Sequence, residues 1–412
     1  MNEAGYDHKR EPYDSEDPTD IALGFSYRGY ANEGNLMQRC RSCIMPYIPK
    51  IVTLNENGVC NHCQSYEPMH LKGERKLIDL LSSHRNKRNE YDCIVTVSGG
   101  RDSAYTLLKL VKDYGLKVLA INYENPFVDE TAWNNIQNMV KKLNVTLIQF
   151  KLKNNIHERI LANNVQTWFK RPSPAMVPVI CVGCKIIWPQ IIKIAREHKI
   201  QCIVNGGNPY EYTSFKKELL GVNRNAGLIS TYFLNAFRLA KEALSNMSYL
   251  KPHFLPITVK GYLFGNQYSI GSRLLGMKLD KIDLFHYLPW DEDVVLFRIQ
   301  NELDWKKPAH LHSTWRFDCR LSHLKDFMYM MTLGVTERDD FYSKLIREAK
   351  MSRSEALDRI EKENELHLDT VAEIFRQLGM REMNVSKLTE TLVSSISGLT
   401  SFSKSSTKQL RR

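Results

Sequence analysis

Residues Ser98-Gly99-Gly100-Arg101-Asp102-Ser103 set a glycine turn between an apolar strand and a helix, an arrangement in which a phosphate can bind. The preceding Cys93-Ile94-Val95-Thr96-Val97 is short, apolar and partly β-branched, as a buried parallel strand is. From Ala104 to Tyr114, Leu107, Leu108 and Val111 recur at helical spacing. Glycines allow close backbone approach to an anion, and the first N–H groups of the helix donate to it with a favourable dipole. The loop lacks the length and the closing Lys-Ser/Thr of the common nucleotide-triphosphate loop. Ser98 and Ser103 instead offer hydroxyls to the pyrophosphate half of ATP, and Asp102 suits a magnesium ion, directly or through water. Cleavage between the α and β phosphates is the chemistry suggested. An ordinary turn with a helix cap has a similar composition, but the flanking strand and helix favour an anion cradle.

Cysteines form a second chemical set. Cys40-x2-Cys43 and Cys60-x2-Cys63 stand 16 residues apart, the spacing of a four-cysteine zinc ribbon, with Gly58 favouring the tight turn before Cys60. Four thiolates saturate a tetrahedral ion, so that zinc is expected to be structural. Cys181-x2-Cys184 and the distant Cys319 make a set of three, able to hold a [4Fe–4S] cluster with one iron open. A second zinc completed by a histidine, or buried free thiols, fit the same spacing. Cys93 and Cys202 lie in strand-like stretches and read as buried small residues, and no direct role is expected for His310 and His312 in their polar loop.

The elements that must position these residues alternate. Strands are expected at Cys93 to Val97, Leu116 to Asn122, Val145 to Phe150 and Ile200 to Asn205, with helices near Ser103 to Tyr114, Asp129 to Leu143 and Cys184 to His198. Right-handed crossovers make this an α/β fold with a parallel, doubly wound sheet and ligands at the carboxyl ends of the strands. Asn122-Tyr123-Glu124 and Asn205-Gly206-Gly207-Asn208 end two strands and would face the same crevice as Ser98. The expected organisation is a flexible extension over 1–35, a zinc ribbon over 36–70, the sheet domain over 71–334, a helical region over 335–394 and a disordered tail over 395–412. In the helical region Ser352-Arg353-Ser354-Glu355 reads as a capping box.

The chain has 412 residues, of which 43% are hydrophobic, enough for a substantial core. No apolar run reaches about 18 residues and the start lacks a signal-peptide core, so no membrane insertion and a cytoplasmic site are expected. The net charge of +11 suits phosphates, nucleotide sugars or RNA without choosing among them; lysine pairs such as Lys141-Lys142 and Lys306-Lys307 disperse it.

The complete Ser-Gly-Gly-x-Asp-Ser match resembles the PP-loop, or N-type, ATP pyrophosphatases. That resemblance implies adenylation of a carbonyl or amide oxygen, release of pyrophosphate, and displacement of AMP by a nitrogen or sulfur nucleophile. With the ribbon in front, Cys40-x-x-Cys43-Ile44-Met45-Pro46 and Gly58-Val59-Cys60-x-x-Cys63, and with Cys181-x-x-Cys184 and Asp318-Cys319 behind, the chain resembles the N-acetyl sugar amidotransferases of surface-polysaccharide synthesis over roughly residues 38 to 380. The implied reaction converts an acetamido sugar to an acetamidino sugar. The implied site comprises Asp102, Ser103 and Arg101 as catalytic groups, with the same three and Ser98, Gly99, Gly100, Asn122, Tyr123, Gly206 and Gly207 around ATP. One departure is that Asn122-Tyr123 stand where many PP-loop enzymes carry an aspartate-centred motif.

Ammonia is expected to come from a separate partner. The chain begins Met1-Asn2 and has no recognisable glutaminase cysteine, so the resemblance implies a separate glutaminase and a cyclase-like channel subunit. The enzymatic rival is a tRNA sulfurtransferase, which also combines a PP-loop with metal-binding cysteines. Against it, neither a second C-terminal ribbon nor a concentrated basic and aromatic stretch is present in the sequence, so nucleic acid is not the expected partner. A non-catalytic zinc-ribbon interaction protein is the remaining reading.

Overall fold

The computed structural model describes residues 38–85, 89–219 and 228–380. The expected extension over 1–35 and tail over 395–412 lie outside the described residues, as does the helical region beyond residue 380.

Five parallel strands form the sheet in the order β3-β2-β1-β4-β5: β1 (Cys93–Thr96), β2 (Val118–Tyr123), β3 (Thr146–Phe150), β4 (Cys202–Asn205) and β5 (Asp280–Asp283). The chain runs outward from β1 through β2 and β3, then returns to β4 on the other side of β1. That reversal of direction opens a crevice at the carboxyl ends of β1 and β4. Four strands match their expected positions within two residues at either end. The fifth, Asp-Lys-Ile-Asp, has no apolar run to announce it; pairing with β4, from Cys202–Asp280 to Asn205–Asp283, makes it a strand.

Alternation along the strands builds two cores. Val95, Val118, Ala120 and Val204 face one side, with Leu107, Ile136, Met139 and Ile299 above them. Ile94, Leu119, Ile121 and Ile203 face the other, covered by Ile191 and Ile194. Both faces are thus buried, as a parallel sheet requires. The covering helices are α1 (Arg101–Leu108), α2 (Glu130–Leu143), α4 (Trp188–Glu197) and α5 (Glu292–Leu303), with α3 (Ile156–Lys170) following β3.

Local chemistry sets the helix ends. Asp129 caps α2 by accepting from Thr131 N–H at 2.8 Å, and Asn144 closes it in the left-handed region. Helix α1 passes into a π turn over Lys109–Asp113 instead of running on to Tyr114. The helix expected from Cys184 begins at Trp188, with Pro189 in its first turn; Gly183–Lys185 form a separate 3-10 turn.

Beyond the sheet lie α6 (Leu321–Leu333), α7 (Glu337–Arg347), α8 (Arg353–Glu363) and α9 (Leu368–Gln377). Ser352 caps α8, accepting from Glu355 N–H at 3.1 Å. The reciprocal capping box belongs to α7, where Thr336 and Asp339 exchange side-chain and backbone bonds. Phe341 and Leu345 of α7 and Ile360 of α8 join the sheet's core. Ile48 and Val52 of the cysteine ribbon share a second core with Phe327 of α6 and Phe375 of α9. Burial of each such large apolar side chain stabilises by about 2 kcal/mol, so these helices and the ribbon are energetically coupled.

Candidate active site at the carboxyl end of the sheet

The turn after β1 opens into a cavity of about 410 Å³ lined by Ser98, Gly100, Asp102 and Ser103 together with the ends of β2 and β4. Gly99 has φ +84°, and a Cβ there would stand 2.1 Å from the Ala132 carbonyl oxygen of α2, so the turn needs glycine on both grounds. The Ser98 and Ser103 hydroxyl oxygens lie 3.3 Å apart. Ser103 donates to the Gly100 carbonyl at 3.0 Å, closing the first turn of α1. The loop expected to cradle an anion thus lies at the cavity, with the first residues of α1 in its lining.

Asp102 is fixed from two remote segments. Its Oδ1 accepts from Trp290 Nε1 at 2.9 Å, and its Oδ2 accepts from Asn208 Nδ2 at 3.3 Å. Arg101 Nε adds a longer contact to Oδ1 at 3.4 Å, while Oδ2 retains a lone pair and the side chain lines the cavity, so Asp102 fits a magnesium ligand. Asn208 ends the Asn205-Gly206-Gly207-Asn208 turn expected to face this crevice, whereas no sequence motif marked Trp290.

Arg101, expected among the catalytic groups, lines the cavity and is tied into an acidic cluster. Its guanidinium is buried, donating to Glu292 at 2.6 Å, to Thr314 Oγ1 at 2.7 Å and to Glu211 at 3.3 Å, and it lies over the Trp290 ring. Flanking carboxylates absorb its charge, and it ties α1 to α5 as a positioning group. Burial would raise Glu292, but the guanidiniums of Arg101 and Arg359 overcome it and hold this carboxyl at about 2.

Glu211 escaped sequence reasoning altogether. It reaches the cavity from the turn after β4, and burial, reinforced by the Asp102 charge, pushes it up to about 7 against the pull of Arg316 and Arg101. Asp318 joins the same wall because Val128 and Cys319 form an antiparallel bridge that brings the Asp318-Cys319 segment against the connection between β2 and α2. Burial raises Asp318 as well, opposed by a hydrogen bond from Ser98 and by Arg316.

The strand ends carry the other expected residues. Asn122 donates through Nδ2 to the Val97 carbonyl at 2.8 Å, and Tyr123 turns its hydroxyl to His157 Nδ1 at 2.8 Å. Gly206 and Gly207 line the cavity; a Cβ on Gly206 would lie 2.6 Å from the Asp102 carbonyl oxygen. All the residues expected around ATP except Gly99 therefore border this one cavity, with Gly99 shaping it from behind.

Away from the cavity, Cys40, Cys43, Cys60 and Cys63 converge, with Sγ separations of 3.9 Å for Cys40–Cys63 and 3.8 Å for Cys43–Cys60. Ligands at about 2.3 Å on a tetrahedral zinc stand about 3.8 Å apart, so the four thiols fit that ion. Gly58 adopts φ +73° in the turn before Cys60, as expected. The Cys43 and Cys60 N–H groups point at Cys40 Sγ, at 3.4 and 3.2 Å. Arg347 of α7 approaches Cys43 and Cys63 Sγ at 3.7 and 3.8 Å, supplying positive charge beside a thiolate-rich site. Arg353 of α8 donates to the Cys43 carbonyl at 3.1 Å.

Cys181, Cys184 and Cys319 gather beside the cavity, where Cys184 and Cys319 line the wall. The compact group of donors is nevertheless His157, Cys181 and Cys184, whose ligand atoms lie within 4.8 Å of one another. Cys319 stands outside it, its Sγ accepting from Asn125 Nδ2 at 3.1 Å. No sequence motif singled out His157; it sits in the first turn of α3 among apolar residues.

No family model matches the chain. A segment of 114 residues is 25% identical to an uncharacterized protein of Methanocaldococcus jannaschii, covering 27% of this chain and 41% of that relative's length. Among solved structures the chain is similar to an NMN synthetase from Francisella tularensis, with a TM-score of 0.34 and 14% identity over 69% of this chain and 89% of that one. It is also similar to the U34-tRNA thiolase NcsA from Methanococcus maripaludis with its [4Fe–4S] cluster, with a TM-score of 0.31 and 14% identity over 84% of this chain and 90% of that one. Among the described residues, no helix is long and apolar enough to cross a membrane.

Proposed function

We propose that this chain is an ATP-dependent enzyme of the adenylating kind, and more finely an amidotransferase that converts the acetamido group of a sugar or nucleotide sugar to an acetamidino group. The observation that carries this reading is the Ser98 to Ser103 turn at the mouth of the cavity, with Asp102 held by Trp290 and Asn208.

An amide carbon is a poor electrophile, so its oxygen must first become a leaving group. The amide oxygen attacks the α-phosphate of ATP, the bond to the β-phosphate breaks, and an O-adenylyl imidate and pyrophosphate form. Ammonia then adds to the activated carbon and AMP leaves with the oxygen. The Ser98 hydroxyl and the α1 N–H groups bind the departing pyrophosphate, where preorganised donors act on developing charge. Magnesium, when bound, would neutralise that charge, with Asp102 as its protein ligand and Asp318 on the same wall. Asn122, Tyr123 and the Gly206-Gly207 turn shape the nucleotide side of the cavity. The surrounding proposal includes a structural zinc in the ribbon, separate glutaminase and channel subunits delivering ammonia, a cytoplasmic site and a role in surface-polysaccharide synthesis.

A second reading, sulfur transfer to tRNA, is favoured by one observation: Cys184 and Cys319 line the same cavity as the glycine turn. Purified protein supplied with ATP, magnesium, ammonium and acetamido nucleotide sugars distinguishes the two. Mass spectrometry should show oxygen replaced by an imino group, a decrease of about one dalton, in step with AMP formation. Thiolated RNA formed instead would favour the second reading. Asp102→Ala should abolish pyrophosphate release while leaving circular dichroism unchanged; near-normal release would sink the role given to this loop.

A further inference from the structure

We propose that His157, Cys181 and Cys184 hold a single divalent metal ion, zinc by its donor chemistry, in the wall of this cavity, with a fourth coordination position open to it. The site is independent of whether a sugar or an RNA is the acceptor.

Three features of the structure build it. His157 Nε2 lies 3.1 Å from Cys181 Sγ, and the three donor atoms fall within 4.8 Å of one another. The other ring nitrogen, Nδ1, is paired with the Tyr123 hydroxyl at 2.8 Å, which fixes the ring with Nε2 toward the thiols. Metal-ligating histidines are oriented by just such a bond to the second nitrogen. Finally, the Cys181-x-Gly183-Cys184 turn closes directly onto the imidazole: a Cβ on Gly183 would stand 2.2 Å from His157 Cγ.

The donor set suits one ion. Each thiolate of an iron–sulfur cube binds a different iron, so its sulfurs are held apart by the cube. Nitrogen and sulfur ligands of a single tetrahedral zinc, at about 2.0 and 2.3 Å from it, stand less than about 4 Å from one another. A small inward adjustment of the observed set reaches that geometry, whereas Cys319 remains with Asn125. Access is one-sided. His157 and Cys181 are buried, and Cys184 is exposed and lines the cavity with Tyr123. Three protein ligands leave zinc one position for water or for a nitrogen or sulfur donor entering from the cavity, unlike the closed four-thiolate ribbon.

The test is metal and sulfide analysis of protein purified anaerobically. The wild-type chain should carry two zinc ions, one in the ribbon, and His157→Ala or Cys184→Ala should retain only the ribbon ion. His157→Cys, which replaces one ligand by another, should restore the second zinc and shift the visible bands of the cobalt-substituted protein. This restoration separates loss of a ligand from loss of fold. Iron and acid-labile sulfide in the wild type that persist in His157→Ala would overturn the proposal in favour of a cluster held by the three cysteines. A wild-type chain with only one zinc and no iron, or a second zinc unaffected by His157→Ala, would overturn it too.

Discussion

Trp290 Nε1 donates to Asp102 Oδ1 at 2.9 Å, across 188 residues of sequence, and so locks the carboxylate of the glycine turn to the segment leading into α5. The indole is itself buried and packs under the Arg101 guanidinium, so one ring holds two consecutive residues of the loop.

Trp290→Phe removes the N–H together with one ring of the buried bicycle. A hydrogen bond to a charged group contributes about 1.5–3 kcal/mol and the vacated volume adds to its loss, so stability in urea should fall by about 2–4 kcal/mol and pyrophosphate release by roughly tenfold. A variant whose release rate matches the wild type would show that Asp102 needs no such brace.

The two loop glycines should respond differently to alanine. Gly99 combines a positive φ with a Cβ position 2.1 Å from a backbone oxygen, whereas a Cβ on Gly100 would stand 3.3 Å from the Asp318 carboxyl carbon. Gly99→Ala should lower stability by about 3 kcal/mol or more through strain and clash. Gly100→Ala should cost about 1 kcal/mol or less, since the Asp318 side chain can yield. Thermal denaturation of the pair decides it; equal losses would contradict the geometry.

Glu211 should give the protein a defined pH dependence. Its folded-state value of about 7 lies above the ordinary value of 4.5, so between those limits the folded chain holds a proton that the unfolded chain has released. Stability from this group is therefore full below about 4.5 and declines as pH rises toward 7. Glu211→Gln should remove that decline from denaturation curves recorded across the interval. An unchanged slope would place the titrating group elsewhere.

Removal of the zinc proposed for the ribbon should loosen more than the ribbon. Structural zinc supplies folding energy on the order of 10 kcal/mol, and Ile48 and Val52 share a core with Phe327 and Phe375. Cys60→Ser should release the ion and increase hydrogen exchange in α6 and α9 as well as in residues 40–63. Exchange confined to the ribbon would show that the shared core does not couple them.

Much of the positioning framework was legible because it is local. A short β-branched run followed by two glycines and an apolar helical stripe specifies strand, turn and helix within about twenty residues, and four strands followed from such runs. β5 was not legible, because Asp280 and Lys281 carry no strand signal and the neighbouring β4 supplies the hydrogen bonds. The ends of α1 and α4 shifted for a similar reason: backbone geometry at Lys109–Asp113 and Pro189 outweighs periodicity.

The sequence by itself determined the Ser98 to Ser103 turn, the paired ribbon cysteines and the parallel order of elements, since each rests on residues close together along the chain. Only the tertiary structure decided what surrounds them. It turned Arg101 into a buried tie, brought Trp290 and Asn208 onto Asp102, raised Glu211 beside the same carboxylate, and set His157 against Cys181. Those are contacts between side chains on separate elements, made where parallel strands end together, and no local spacing encodes which distant segments will meet there.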